Sequence, residues 1–234
     1  MGETTVHFEG RVSATEVLKR YFSKGGRSVF IASDLHTLYP GEKAFYPDLL
    51  VVFDVKDHHR RSWNVLREKK GLDFVLEILS RDSKRKDKVD KMNLYARLGI
   101  PEYFFYDPET FELKGFQLVE GTYREIKNKE IGVYSGMLGL YLSLDNLKIR
   151  FSTPHGVEIL FTDELIHNLN RKISEKDDLI KFYSGQAESA EEELRTVKEQ
   201  AQKDIEEERR DKEEERKEKE RMIALLKQHG IDIH

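Results

Sequence analysis

The chain has 234 residues, room for one domain of ordinary size plus an appendage, and it has no cysteine, which excludes disulfides, thiolate catalysis and Cys-ligated zinc. Its formal charge of −4 is local: Met1 to Ala187 carries 29 Lys+Arg against 28 Asp+Glu, whereas Glu188 to Arg221 carries 10 against 15. A near-neutral head lacks the strongly basic groove that by itself would point to nucleic acid. No apolar run reaches the roughly 20 residues of a membrane span. The opening Met1-Gly2-Glu3-Thr4-Thr5-Val6 has neither region of a secretory signal, so the expected location is the cytoplasm.

In chain order, Ser13-Ala14-Thr15-Glu16 reads as a capping box opening a helix to about Ser23, ended by Gly25-Gly26. Ser28 to Ala32 is a short apolar strand, and Pro40-Gly41 is a turn before Tyr46-Pro47-Asp48-Leu49-Leu50-Val51-Val52-Phe53. Ser62 to Lys70 reads as a short helix stopped by Gly71, and Asp73 to Ser80 as an apolar strand with Glu77 inside it. The polar loop Arg81 to Lys86 leads into a helix from about Asp87 to Leu98, closed by Gly99 and Pro101. Glu102 to Tyr106 is a buried strand whose Tyr103, Phe104, Phe105 and Tyr106 read as core. Phe111–Leu118 and Tyr123–Lys127 form a hairpin around Glu120-Gly121. Asn146–Thr153 and Val157–Phe161 form a second around Pro154-His155-Gly156. Helices and strands mixed on one sheet predict an α+β (mixed α/β) head over 1–165.

The last third, 166–234, predicts a long charged helix. Ile173, Ile180, Ala187, Leu194 and Ala201 recur every seven residues, and Tyr183, Ala190 and Val197 fill the alternate spacing, an a/d heptad seam. The seam turns acidic at Asp204, Glu208, Asp211, Glu215 and Glu218. There, pairs four apart such as Glu206/Arg210, Glu208/Lys212, Glu213/Lys217 and Glu215/Lys219 support a solvated helix instead. Two readings stand side by side: a lone charged helix, or a coiled coil through which the chain forms a homo-oligomer.

The chemistry is sought in the strands. Burying a carboxylate in a strand is costly unless it is paired, and neighbouring strands would set Asp48 and Glu77 about 4.8 Å apart, a gap that suits a divalent metal. On the helix that follows, Tyr95 and Leu98 flank the direction of Lys91, while Asp90, Asn93 and Arg97 form the opposite polar face. Lys91 therefore points toward the sheet, where a lysine needs an anionic partner or a function.

Pro47-Asp48, then Glu77-Ile78-Leu79-Ser80, Asp87 and Lys91, then Tyr95-Ala96-Arg97-Leu98-Gly99-Ile100-Pro101-Glu102-Tyr103-Phe104 and Asp107-Pro108 resemble the Uma-type restriction endonucleases of the PD-(D/E)XK nuclease superfamily. The likeness covers about Thr15 to Phe161, and Glu77 to Pro108 is its specific part. The closing Leu225 to Asp232 also resembles the end of members with coiled-coil tails. The resemblance implies a restriction-endonuclease-like mixed sheet flanked by helices and a metal-dependent endonuclease hydrolysing phosphodiester bonds, in DNA by expectation. It implies Asp48 and Glu77 as ligands of Mg²⁺ or Mn²⁺. The superfamily lysine stands two residues after the acid, where this chain has Leu79, and the resemblance suggests Lys91 as its replacement, reaching in from the helix.

Bland readings stand beside these. Asp48 caps a turn, or Glu77 and Lys91 form a structural ion pair without metal. Glu16, Asp34 and Asp87 are auxiliary candidates whose ordinary roles are cap, turn and first helical turn. Lys84, Arg85, Lys86 and Lys88 are either phosphate contacts or a solvated basic surface. His58-His59 has no partner at metal-ligand spacing. The competing function is a catalytically inactive nuclease fold used for binding or assembly through its coiled coil, which Leu79 favours.

Overall fold

The computed structural model describes residues 5–79 and 85–228, with the backbone alone for 85–87. The elements in order are α1 (Thr5–Ser23), β1 (Val29–Ala32), β2 (Thr37–Leu38), β3 (Leu49–Phe53), β4 (Trp63–Asn64), α2 (Val65–Glu68), β5 (Phe74–Ile78), α3 (Arg85–Arg97) and β6 (Glu102–Asp107). They continue with β7 (Glu112–Val119), β8 (Thr122–Glu125), β9 (Asn128–Lys129), β10 (Gly132–Ser135), β11 (Leu140–Asp145), β12 (Lys148–Ser152) and α4 (Thr162–Gln228). The main sheet runs β1-β3-β5-β6-β7-β8. Only β5 and β6 are parallel, and α3 makes the crossover between them that parallel strands require. This is an α+β fold, a mixed sheet with helices, followed by a long helix.

The central strands β3 and β5 are buried at every residue, which is why they read as continuous apolar runs rather than alternating ones. Their two faces fill two cores. Leu49, Val51, Phe53, Phe74 and Leu76 pack against Val17 and Leu18 of α1 and against Leu140, Leu142 and Phe151. Leu50, Val52, Val75 and Leu79 pack against Trp63, Tyr95, Tyr103 and Phe105 on the other side. The site therefore sits in a sheet clamped from both faces.

Four expectations need correction. α1 already runs from Thr5, so Ser13–Glu16 lies inside it and caps nothing; Thr15 instead donates its hydroxyl back to the Arg11 carbonyl 2.8 Å away. The strands do not share one sheet: β12-β11-β10-β9 form a separate antiparallel sheet, and β2 and β4 pair in parallel. β12 has a further partner that was not expected, β11, joined to it by a turn at Asn146-Leu147, both with positive φ. The expected turn at Pro154-His155-Gly156 does form, with the Thr153 amide donating to the Val157 carbonyl at 2.9 Å and the Ile159 amide to the Phe151 carbonyl at 2.8 Å, but the returning segment is short, a bridge between Ser152 and Glu158 rather than a strand to Phe161. The short helix is likewise trimmed to α2, capped by Asn64 and ended by Lys69 in the left-handed region, two residues before Gly71. The hairpin at Glu120-Gly121 and the stop at Gly99 (φ 71°) form as expected.

α4 is one helix from Thr162 to Gln228. Its start is capped by its own third residue, since Glu164 accepts the Phe161 amide at 3.1 Å. The chain divides into two compact units between Ile166 and His167. Among the described residues, no helix is long and apolar enough to cross a membrane.

Candidate metal and phosphodiester site

Register places the two acids. β3 and β5 are antiparallel with Leu49 facing Leu76, so the next step sets Asp48 opposite Glu77 at one end of the sheet. Asp48 stands just before β3, after a proline whose missing N–H removes nothing from the ladder there. Its Oδ2 accepts the Ile78 amide at 2.8 Å, so the carboxylate is held against the strand that carries Glu77. Glu77 has no exposed surface.

The helices complete the site from opposite layers. Lys88, Lys91 and Tyr95 lie on one stripe of α3, and Lys91 Nζ stands 2.7 Å from Glu77 Oε2 while the Tyr95 hydroxyl donates to Glu77 Oε1. From α1, His7 Nε2 comes within 3.2 Å of Asp48 Oδ2. α1 can approach this closely because residue 10 is glycine: a Cβ there would meet Ile78 Cδ1 at 2.9 Å.

Electrostatics separate the two acids. Burial raises the Asp48 carboxyl, but the His7 and Ile78 hydrogen bonds outweigh it and hold Asp48 below the ordinary range. Glu77 goes the other way. Its burial, only partly offset by the Lys91 charge and reinforced by the charge of Asp48, pushes it up to about 7. Tyr95 is pushed well up by burial and then by Glu77, so it stays a neutral donor. One buried carboxyl is thus short of positive charge even with an ammonium beside it.

That shortage is the test for a metal. Two carboxylates on adjacent strands are a hard oxygen donor set, which fits Mg²⁺ or Mn²⁺ retaining several waters. Asp48 and Glu77 would hold such an ion. Among the described residues, no group of three or more His, Asp or Glu gathers around a potential metal position, so the set is limited to this pair.

The remaining candidates fall elsewhere. Glu16 accepts from Thr162 and lies 3.6 Å from Arg20, away from the strand acids. Asp34 lies at the margin: its amide donates to the Pro47 carbonyl at 3.0 Å, and its carboxylate meets Arg11, one turn after His7, at 3.3 Å. Lys88 meets Glu112 at 3.2 Å and lies 3.6 Å over the Phe105 ring. Lys84 and the side chains of Arg85, Lys86 and Asp87 lie outside the described residues. Leu79 is buried in the core on the α3 side. Sequence reasoning missed His7, because the helix was begun at Ser13; extending the Ala14–Leu18 stripe backwards by one and two turns reaches Arg11 and then His7.

No curated protein matches the chain. A putative nuclease belonging to DUF820 from Anabaena variabilis ATCC 29413 has a similar fold, with a TM-score of 0.51 and 14% identity over 63% of this chain and 82% of that one. The model of the Uma2 family, described as "Putative restriction endonuclease", matches residues 2–144. That match takes in Asp48, Glu77, Lys91 and Tyr95 and more than half of the chain, and the chain belongs to the Uma2 family.

Proposed function

We propose that this protein is a divalent-metal-dependent nuclease that hydrolyses phosphodiester bonds in DNA, with Asp48 and Glu77 as ligands of Mg²⁺ or Mn²⁺ and Lys91 as the assisting cation. The observation that carries the reading is the meeting of a wholly buried strand glutamate with a second strand carboxylate and a helix lysine 2.7 Å away. Family membership and a nuclease-like fold support the same chemistry.

Each side chain has a part. When bound, the metal polarises the scissile phosphate and makes a water a better nucleophile. Asp48 is held in place by the Ile78 amide and His7, and Glu77 by Tyr95 and Lys91. The Lys91 side chain is 42% exposed, so its ammonium can serve Glu77 and still face a phosphate on which negative charge builds. Basic residues around α3 would hold flanking phosphates without reading sequence.

The second reading, an inactive nuclease fold used for assembly, is favoured by Leu79, whose burial leaves the superfamily's own lysine position filled by core. Cleavage of supercoiled plasmid and of single-stranded DNA, with Mg²⁺, with Mn²⁺ and with chelator, separates the two. Metal-dependent cleavage by the wild type and none by Asp48→Ala supports the nuclease. Intact substrate under all conditions supports the assembly module.

A further inference from the structure

We infer that α4 pairs with a second copy of itself as a parallel, in-register, two-stranded coiled coil over 166–201. Taking Ile166 as the first core position, Ile166, Ile173, Ile180 and Leu194 fall at a. Leu169, Tyr183 and Val197 fall at d, and each of these seven side chains is half exposed or more in the single chain. The stripe covers about 54 Å of helix at 1.5 Å per residue, longer than a helix of a globular domain leaves uncovered. Repeated isoleucine at a favours two strands over three or four when d is not also isoleucine; the one cation in the seam, Lys176 at d, faces its own copy and costs stability there.

Charge selects the orientation. In a parallel pair each g residue faces the e residue five positions on in the other copy. Over this span that sets Lys172 against Asp177 and Glu193 against Lys198, while the remaining g–e pairs, Leu179/Ser184 and Gln186/Glu191, carry no like charges. Among the described residues, none of those four charged side chains forms an ion pair within its own chain; the intrahelical pairs nearby are Arg171–Glu175 and Arg195–Glu199. An antiparallel pair centred on the same stripe would set e against e and bring Asp177 toward Glu191, like against like.

The pairing ends where the core positions turn acidic. Asp204, Glu208, Asp211, Glu215 and Glu218 would face their own copies across a parallel seam. That stretch supports itself by pairs such as Lys212–Glu208 at 2.6 Å and Arg216–Glu220 at 3.7 Å. Since the helix follows the head in the chain, a parallel coil joins two heads at one end.

The inference rests on the helix alone, so the outcome of a cleavage assay does not bear on it. Sedimentation of the full-length protein at micromolar concentration should give the dimer mass. Because the chain has no cysteine, Ala190→Cys (core d) should form a disulfide-linked dimer on mild oxidation, and Glu192→Cys (outer face) should not. Leu194→Asp should shift the mass to monomer while the head still unfolds cooperatively. A wild-type monomer or a higher oligomer overturns the inference. So does a dimer in which Ala190→Cys links to Ile180→Cys in a mixture in preference to itself, since that is the antiparallel arrangement.

Discussion

Two buried glutamates stand in neighbouring parallel strands, Glu77 near the end of β5 and Glu102 at the start of β6, and they live differently. β5 and β6 pair with Phe74 facing Glu102 and Glu77 facing Phe105, so the two acids lie at opposite ends of the sheet. Glu102 accepts from the Ser135 hydroxyl and from the amides of Gly136 at 2.8 Å and Met137 at 3.2 Å. Its partners are neutral donors from the turn after β10, and it ties the main sheet to the small one. Glu77 has a second carboxylate beside it, with one lysine and one tyrosine to offset the crowding. Burial raises both carboxyls. A structural acid is finished by the fold; the other is left with a like charge next to it, and that difference marks the site.

Mutation should tell the two kinds of acid apart. The largest effect is expected at the crowded acid: Asp48→Ala and Glu77→Ala should each remove metal-dependent cleavage to below detection, with cooperative unfolding retained. A variant that still cleaves at the wild-type rate would move the site elsewhere. Lys91→Ala should keep metal binding and slow cleavage by about 10²–10³-fold, the effect of losing one preorganised charge donor, read in single-turnover assays. An unchanged rate would make Lys91 a purely structural partner.

Glu102→Ala should do the reverse. It strands the buried Ser135 hydroxyl and leaves the part-buried Gly136 and Met137 amides to water, so denaturant unfolding should show a loss of about 1–3 kcal/mol, with cleavage per folded molecule unchanged. The smallest effect is one of slope. Glu77 sits at about 7 in the native protein against 4.5 ordinarily, so the native state holds a proton that the unfolded state releases. Its contribution is complete below about pH 4.5 and is lost as pH rises toward about 7. In chelator, the wild type should therefore lose stability across that window, and Glu77→Gln, which cannot ionise, should lose less. Equal slopes for the two proteins would show that Glu77 is not raised.

How much of this was legible can be read from particular residues. Pro47-Asp48 and Pro101-Glu102 look alike, each a proline and an acid at the head of an apolar strand. Local sequence does not separate a site acid from a structural one, because the partners that do so lie far off: Lys91 and Tyr95 on α3, and Ser135 to Met137 after β10. Lys91 was readable from the polar face of its own helix, which left it pointing at the sheet. His7 was hidden by a capping-box pattern that the structure buries in mid-helix, where Thr15 satisfies a carbonyl instead. β9 is two exposed residues and β10 four residues without alternation, so neither carries a pattern, whereas β11 does alternate, with buried Leu140 and Leu142 between half-buried neighbours, and was legible in principle. The main strands were legible because burial on both faces leaves nothing but apolar side chains, so that one acid among them stands out.

The most direct test of the central claim is calorimetric titration of Mg²⁺ and of Mn²⁺ into the full-length protein, with non-cleavable duplex DNA present, in wild type and Glu77→Gln. Asp48 and Glu77 as the ligand pair predict saturable binding of one ion per chain in the wild type and its loss in Glu77→Gln. No binding to the wild type at millimolar metal, or equal binding by both proteins, would contradict the account.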